Sequence, residues 1–174
     1  MFNEDLFPEL KYGKEFLYLD LDVLIHNSID SLFQLDTVHP WIVRGWWNDM
    51  ETCKKNYGKL ISTPINSSII RWNRGQLKPI YDHIETNTDY IFFTYPTIDN
   101  YFNHYWYDMH NEENSKQLFR GLEKGITYSW FKGNIFPEDM DLHEVRNDHM
   151  LCLFNNCTED TYQDMYEIIE SWNI

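Results

Sequence analysis

The 174-residue chain contains no alanine, and it is poor in positive charge. Lysine and arginine number 14 against 28 aspartates and glutamates, giving a formal net charge of −14. A nucleic-acid-binding protein needs a basic footprint, so that function class is excluded. Docking to anionic lipid is disfavoured for the same reason. The lack of alanine, with heavy use of Asn, Ile, Tyr and Phe, reads as the bias of an AT-rich genome. Only three cysteines occur, Cys53, Cys152 and Cys157, and they have no zinc spacing. An odd number of thiols fits a reducing cytoplasm. Cys152, inside an apolar run, reads as an inert core residue. No apolar stretch is long enough to span a membrane. Glu4, Asp5 and Glu9 near the N-terminus argue against a secretory signal. No repeat, low-complexity segment or linker is visible, so residues 1–174 are expected to form one domain, with enough chain for a sizeable core.

The most informative stretch is residues 16–33, FLYLDLDVLIHNSIDSLF. An apolar run, Phe16-Leu17-Tyr18-Leu19, leads into Asp20-Leu21-Asp22, and Val23-Leu24-Ile25 follows at once. So short and apolar a run reads as a strand buried on both faces. Two carboxylates at its end are costly to bury unless paired, hydrated or bound to a cation. In open α/β sheets ligands bind beyond the carboxyl ends of the strands. With one residue between them, the two side chains share a side if the backbone stays extended. A hard divalent cation relieves the resulting repulsion. The other reading is an acidic turn that closes a strand, with both aspartates solvated.

Further along, Ser28 is a candidate N-cap for one helical turn through Phe33. Trp41-Ile42-Val43-Arg44 reads as a strand, and residues 45–59 as a surface loop whose Trp46 and Trp47 either cover a core edge or stack on a sugar. Residues 64–72 (PINSSIIRW) read as a strand interrupted by small polar residues. Such residues weaken a strand interior unless a ligand or another backbone approaches closely. Residues 73–85 read as a helix whose stripe is Leu77, Ile80, Tyr81 and Ile84, with Pro79 forcing a late or kinked start. Thr97 is a candidate N-cap, and Asp99 suits the first turn of the helix it opens. Residues 126–131 and 150–154 read as strands, and residues 134–148 as an acidic loop. Lys132, next to the first of these strands, is either a phosphate contact or a solvated lysine. A terminal helix is expected over residues 158–172, with Thr158 as N-cap.

The DxD stretch, with SIDSLF behind it, resembles the metal-binding segment of GT-A glycosyltransferases, especially glycosyltransferase family 8. The resemblance implies an α/β, GT-A-like fold: a mixed sheet with flanking helices. It implies that Asp20 and Asp22 hold Mn²⁺ or Mg²⁺, which binds the diphosphate of a nucleotide sugar, a UDP-sugar above all. The acceptor would be a glycan or a lipid-linked saccharide. In an acidic protein that cation would supply the positive charge a diphosphate needs. Residues 64–72 resemble the strand that lines the donor-sugar pocket, which implies Asn66, Ser67 and Ser68 as substrate-binding residues. Asp99 and Asn100 stand where the family has an Asp-Gln pair near the transferring sugar, which implies Asp99 as a catalytic residue and Asn100 as a substrate contact. The strand ending at Phe154 is similar to one that ends in Phe-His-Gly, whose histidine is the third metal ligand. Here Asn155 and Asn156 follow, so Asn155 is implied as a weaker third ligand.

In that family a base- and ribose-binding half precedes the DxD strand. The resemblance therefore implies a partial domain, completed by an upstream chain. The chain alone is expected to self-associate through an exposed apolar strand edge. A non-catalytic remnant or binding module of the same fold is the alternative. The DLDVL segment is also similar to the first motif of haloacid-dehalogenase-like phosphatases. There Asp20 would be the nucleophile and Asp22 a general acid/base, although Val23 stands where that motif has glycine.

If Asn155 is a third ligand, Asn155→His should tighten Mn²⁺ binding about tenfold, or ~1.4 kcal/mol, as read by calorimetry. An unchanged affinity would mean that Asn155 does not face the cation.

Overall fold

The computed structural model describes residues 14–45, 63–107, 118–122, 125–131, 134–136 and 147–155, with Glu159, Gln163, Tyr166, Glu167 and Glu170. The N-terminal residues 1–13, the loop at 46–59, Lys132 and most of the expected terminal helix lie outside the described residues. The five positions described between 159 and 170 are helical.

The fold is mixed α/β. Among the described residues, eight strands form two four-stranded sheets. In the first, the order is β1 (Glu15–Leu19), β4 (Ile65–Asn73), β3 (Trp41–Arg44) and β5 (Arg120–Gly121). In the second it is β2 (Val23–Ile25), β8 (Leu151–Asn155), β6 (Thr127–Phe131) and β7 (Asn134–Phe136). Each sheet is mixed: β3–β5 and β6–β8 are parallel pairs and the rest antiparallel. The single mixed sheet expected from the sequence is thus divided in two, and the DxD segment is one of the connections between them.

β1 is an edge strand among the described residues, half-buried along most of its length. Its alternation explains why it reads as apolar throughout. Phe16 and Tyr18 face one core, with Ile42, Ile70, Trp72, Leu77, Ile80, Tyr101, Phe102 and Trp106. Leu17 and Leu19 face the other, with Leu32, Val43, Ile69, Leu151 and Leu153, which lies between the two sheets. Both faces of β1 are apolar because each meets a different core. Burying side chains of this size stabilises the fold by about 1.5–3 kcal/mol each.

The helices close the first core. Helix α1 (Lys78–Thr94) starts after a turn in which Gly75 takes φ 83°, a left-handed conformation that only glycine adopts freely. Pro79 lies in the first turn, where its missing amide has no intrahelical partner to lose. The helix runs nine residues beyond its expected end at Glu85 and bends at Asn87 (φ −126°, ψ 27°). Beyond the bend Ile91 turns inward while Tyr90, Phe92 and Phe93 are exposed, so no apolar stripe marks this part in the sequence. Helix α2 (Ile98–Phe102) is capped as expected: the Asn100 amide donates to Thr97 Oγ1 at 3.2 Å. It continues into a π-turn, Asn103–Tyr107, that buries Trp106.

Two smaller expectations are corrected. The turn after β2 is a 3₁₀ helix, Asp30–Gln34, and Ser28 lies one residue too early to be its N-cap, although its hydroxyl still accepts from the Asp30 amide at 3.3 Å. The acidic loop expected from residue 134 begins instead with β7, which folds back on β6 (Phe131 opposite Asn134).

The polar interior has two features. His26, just past β2, and His149, just before β8, flank the buried Tyr128 ring at 5.5 and 5.6 Å. Burial, and then the neighbouring His149, lower the His26 pKa to about 4. A histidine whose folded pKa lies below its unfolded value contributes stability that is full above about pH 6.5 and lost as pH falls toward 4. In the first sheet Arg71 is fully buried between Leu17 and Trp41. Its Nη2 meets Glu15 at 3.2 Å and its Nη1 donates to the Asp36 carbonyl at 3.3 Å. Glu15 is more than a third exposed, so water shares its charge. The stem of Arg71 fills core volume as well as carrying its charge. Arg71→Ala is therefore expected to cost about 3 kcal/mol in urea unfolding, and Arg71→Met less than half of that. Equal costs would show that the ion pair, not the packing, is what Arg71 supplies.

Candidate functional site

The first sheet carries a break in its ladder, and the candidate residues collect around it. On β4, Asn66 pairs with Val43 and Ile70 with Ile42, so Ser67, Ser68 and Ile69 have no partner on β3. On the other side β1 pairs with β4 only from Ile69 onward. The backbone groups of Ser67 and Ser68 must find other partners, since a buried unsatisfied amide costs about 1–3 kcal/mol. Each finds one. The Ser67 amide donates to Asp99 Oδ1 at 2.8 Å, and the Ser68 amide donates to Asn66 Oδ1 at 2.8 Å. The Ser68 carbonyl accepts from the Asp20 amide at 2.8 Å, one step beyond the end of β1. Small polar residues occupy this stretch because they leave room for such side-chain-to-backbone bonds.

Asp20 opens a tight turn. Its carbonyl accepts from the Val23 amide at 3.3 Å, and its Oδ1 accepts from the Leu21 amide at 2.9 Å. Aspartate is favoured at this turn position because its carboxylate can bond the backbone that follows it. The turn replaces the extended backbone expected through DxD, and it leaves Leu21 fully exposed. The two carboxylates are nevertheless close enough to act on each other. The Asp22 pKa is raised, first by burial and then by the charge of Asp20. Asp22 Oδ1 is buried with no hydrogen-bond partner. The Asp22 carbonyl accepts from the Phe154 amide at 3.1 Å, which brings the end of β8 to the same turn.

Asp20, Asp22, Asn66, Ser67, Ser68 and Asp99, drawn from three distant segments, are thus in one neighbourhood. The Asp99 pKa is raised, mainly by burial with a contribution from Asp20, against hydrogen bonds from Ser67 that favour the ionised form. Asn155 follows Phe154 and ends β8, so its backbone reaches the DxD turn. Its side chain lies outside the described part of the structure, as does all of Lys132. Asn100 is placed differently. It is buried, and its Oδ1 accepts from the Thr97 hydroxyl at 2.8 Å within the helix cap.

Tyr18 was not legible as a site residue. It reads as one more apolar residue of the strand, yet it lies close enough to the acidic pair to feel its charge. Burial raises its pKa first, and Asp20 and Asp22 raise it further. The available signal was its spacing of two from Asp20, which puts both on one side of β1.

Asp20 and Asp22 are the residues able to hold a cation. An orphaned buried carboxylate oxygen beside a second carboxylate has the donor chemistry of a hard divalent ion. Among the described residues no group of three or more His, Cys, Asp or Glu side chains is arranged to hold a metal. Such an ion would therefore take its remaining ligands from water, a bound anion or other oxygen donors. Also among the described residues, no helix is long and apolar enough to cross a membrane. Comparison with protein-family models and with curated proteins finds no match to this chain.

A carboxylate whose folded pKa is raised is more stable protonated, so its burden on the fold is present at neutral pH and is relieved as pH falls through that folded pKa. Without divalent ions, Asp22→Asn should therefore melt at a higher temperature than the parent at pH 7. The gap should close by about pH 3, below the ordinary carboxylate range. A variant that melts lower at pH 7 would show that Asp22 has a partner that stabilises its charge.

Proposed function

We propose that this chain is the metal- and sugar-binding part of a GT-A-like, DxD-dependent glycosyltransferase. On this reading it moves a sugar from a nucleotide diphosphate sugar, a UDP-sugar first of all, to a glycan or lipid-linked acceptor in a reducing cytoplasm. One observation carries the reading. The acidic pair, the Asn66–Ser68 stretch and Asp99, which the resemblance to family 8 implies as parts of one pocket, are linked to one another by hydrogen bonds of 2.8 Å and by charge.

On this reading Asp20 and Asp22 hold Mn²⁺ or Mg²⁺, with Asn155 as a third oxygen donor. The cation supplies Lewis-acid stabilisation of the departing diphosphate. The Leu21 amide fixes the Asp20 carboxylate by hydrogen bonding before any ligand arrives. The Asn66 to Ser68 stretch lines the sugar pocket, with the small serine side chains leaving room for hydroxyl groups. The edge strand β1, with the exposed aromatics of α1, gives the isolated chain surfaces for self-association.

Titrating the chain with Mn²⁺, UDP and UDP-sugars in a calorimeter tests this. Mn²⁺ should bind, UDP-sugar should bind only with Mn²⁺ present, and Asp22→Asn should abolish the Mn²⁺ signal. Mn²⁺ binding without any UDP-sugar binding would point to a non-catalytic remnant or binding module, and the absence of both would overturn the reading. The raised Asp22 pKa favours a second reading, since a carboxyl that holds its proton more tightly than usual suits a general acid. In a haloacid-dehalogenase-like phosphatase Asp22 would play that part beside a nucleophilic Asp20. Trapping of beryllium fluoride on Asp20, as an aspartyl-phosphate analogue, would select that reading over the transferase.

A further inference from the structure

Asp99 is tied to the acidic turn by a short, continuous path. The Ser67 amide donates to its Oδ1 at 2.8 Å. The next residue, Ser68, accepts the Asp20 amide on its carbonyl at 2.8 Å. Nothing on β3 holds this stretch, because the ladder skips from Asn66 to Ile70. The other end of the path is rigid. Helix α2 is capped by Thr97, and its Asn100, Tyr101 and Phe102 are buried. An anchored carboxylate therefore sets the place of an otherwise unladdered backbone, and that backbone sets the place of Asp20.

We propose that Asp99 is a positioning residue that fixes Asp20 through the Ser67–Ser68 backbone, and that it neither takes a proton from the acceptor nor ligates the cation. The consequence for a ligand rests on the transferase reading above; the mechanical coupling does not. The proposal separates geometry from charge. Asparagine keeps an acceptor oxygen for the Ser67 amide and removes the charge. Glutamate keeps the charge and shifts the oxygen by one methylene. Alanine removes both. A positioning role is preserved by Asn and disturbed by Glu. A base, a ligand or a long-range charge is lost with Asn and at least partly kept with Glu.

The test uses the full chain, first without metal. Amide hydrogen exchange should speed up about tenfold at Ser67 and Asp20 in Asp99→Ala, and stay within about threefold of the parent in Asp99→Asn. Mn²⁺ titration should follow the same order, with an about tenfold loss of affinity for Asp99→Ala and less than about threefold for Asp99→Asn. If Asp99→Ala does not fold, Asp99→Glu carries the comparison, with faster Asp20 exchange and weaker Mn²⁺ binding expected despite the retained charge. The proposal is overturned if Asp99→Asn behaves like Asp99→Ala, or if the Asp20 amide exchanges alike in every variant. A parent chain that binds no Mn²⁺ would sink the metal reading alone, because the exchange data decide the coupling without it.

Discussion

The requirement that buried backbone groups find partners governs the centre of this molecule. Where β4 leaves the ladder between Asn66 and Ile70, two amides and a carbonyl lose their strand partners. They are recovered by Asp99, by Asn66 and by the backbone of Asp20. Each recovered bond ties in a different part of the chain: helix α2, the strand itself and the acidic turn. The departure from regular β-structure is what draws these segments together, because a regular ladder would have satisfied the same groups without them.

The electrostatics point the same way. In a protein of net charge −14, a third carboxylate close to an acidic pair is unfavourable unless something compensates. Hydrogen bonds from Ser67 favour ionised Asp99, and burial together with Asp20 opposes them. Asp22 has less help: its Oδ1 is buried without a partner beside a second negative charge. On the proposed reading this deficit is the affinity for a divalent ion, held as strain in the ligand-free protein. The turn that carries the pair is also one of the covalent connections between the two sheets. Changes there act on β1 and β2 together, and through the Phe154 amide on the end of β8.

Much of the fold was legible because local patterns fixed it. The strands at Trp41–Arg44, Ile65–Asn73, Thr127–Phe131 and Leu151–Asn155, the late start of α1 at Pro79 and the Thr97 cap all follow from runs, breakers and capping residues. The failures have identifiable causes. The tail of α1 escaped because it buries Ile91 while exposing Phe92 and Phe93, so no stripe marks it. Strand β7 escaped because its signal is the hairpin partner, not its own three residues.

By itself the sequence determined that the chain is acidic and rich in aromatics, that two aspartates end an apolar strand, and that small polar residues interrupt another. These are properties of consecutive residues, and neighbouring residues set them. Tertiary structure alone decided that the apolar run of β1 is an edge strand serving two cores, and that DxD is a turn joining two sheets. It also decided that Asp99 is spent on the Ser67 amide and that Tyr18 belongs with Asp20. Those outcomes depend on which distant backbone groups are left unpaired when strands of unequal length meet, and no local pattern records that.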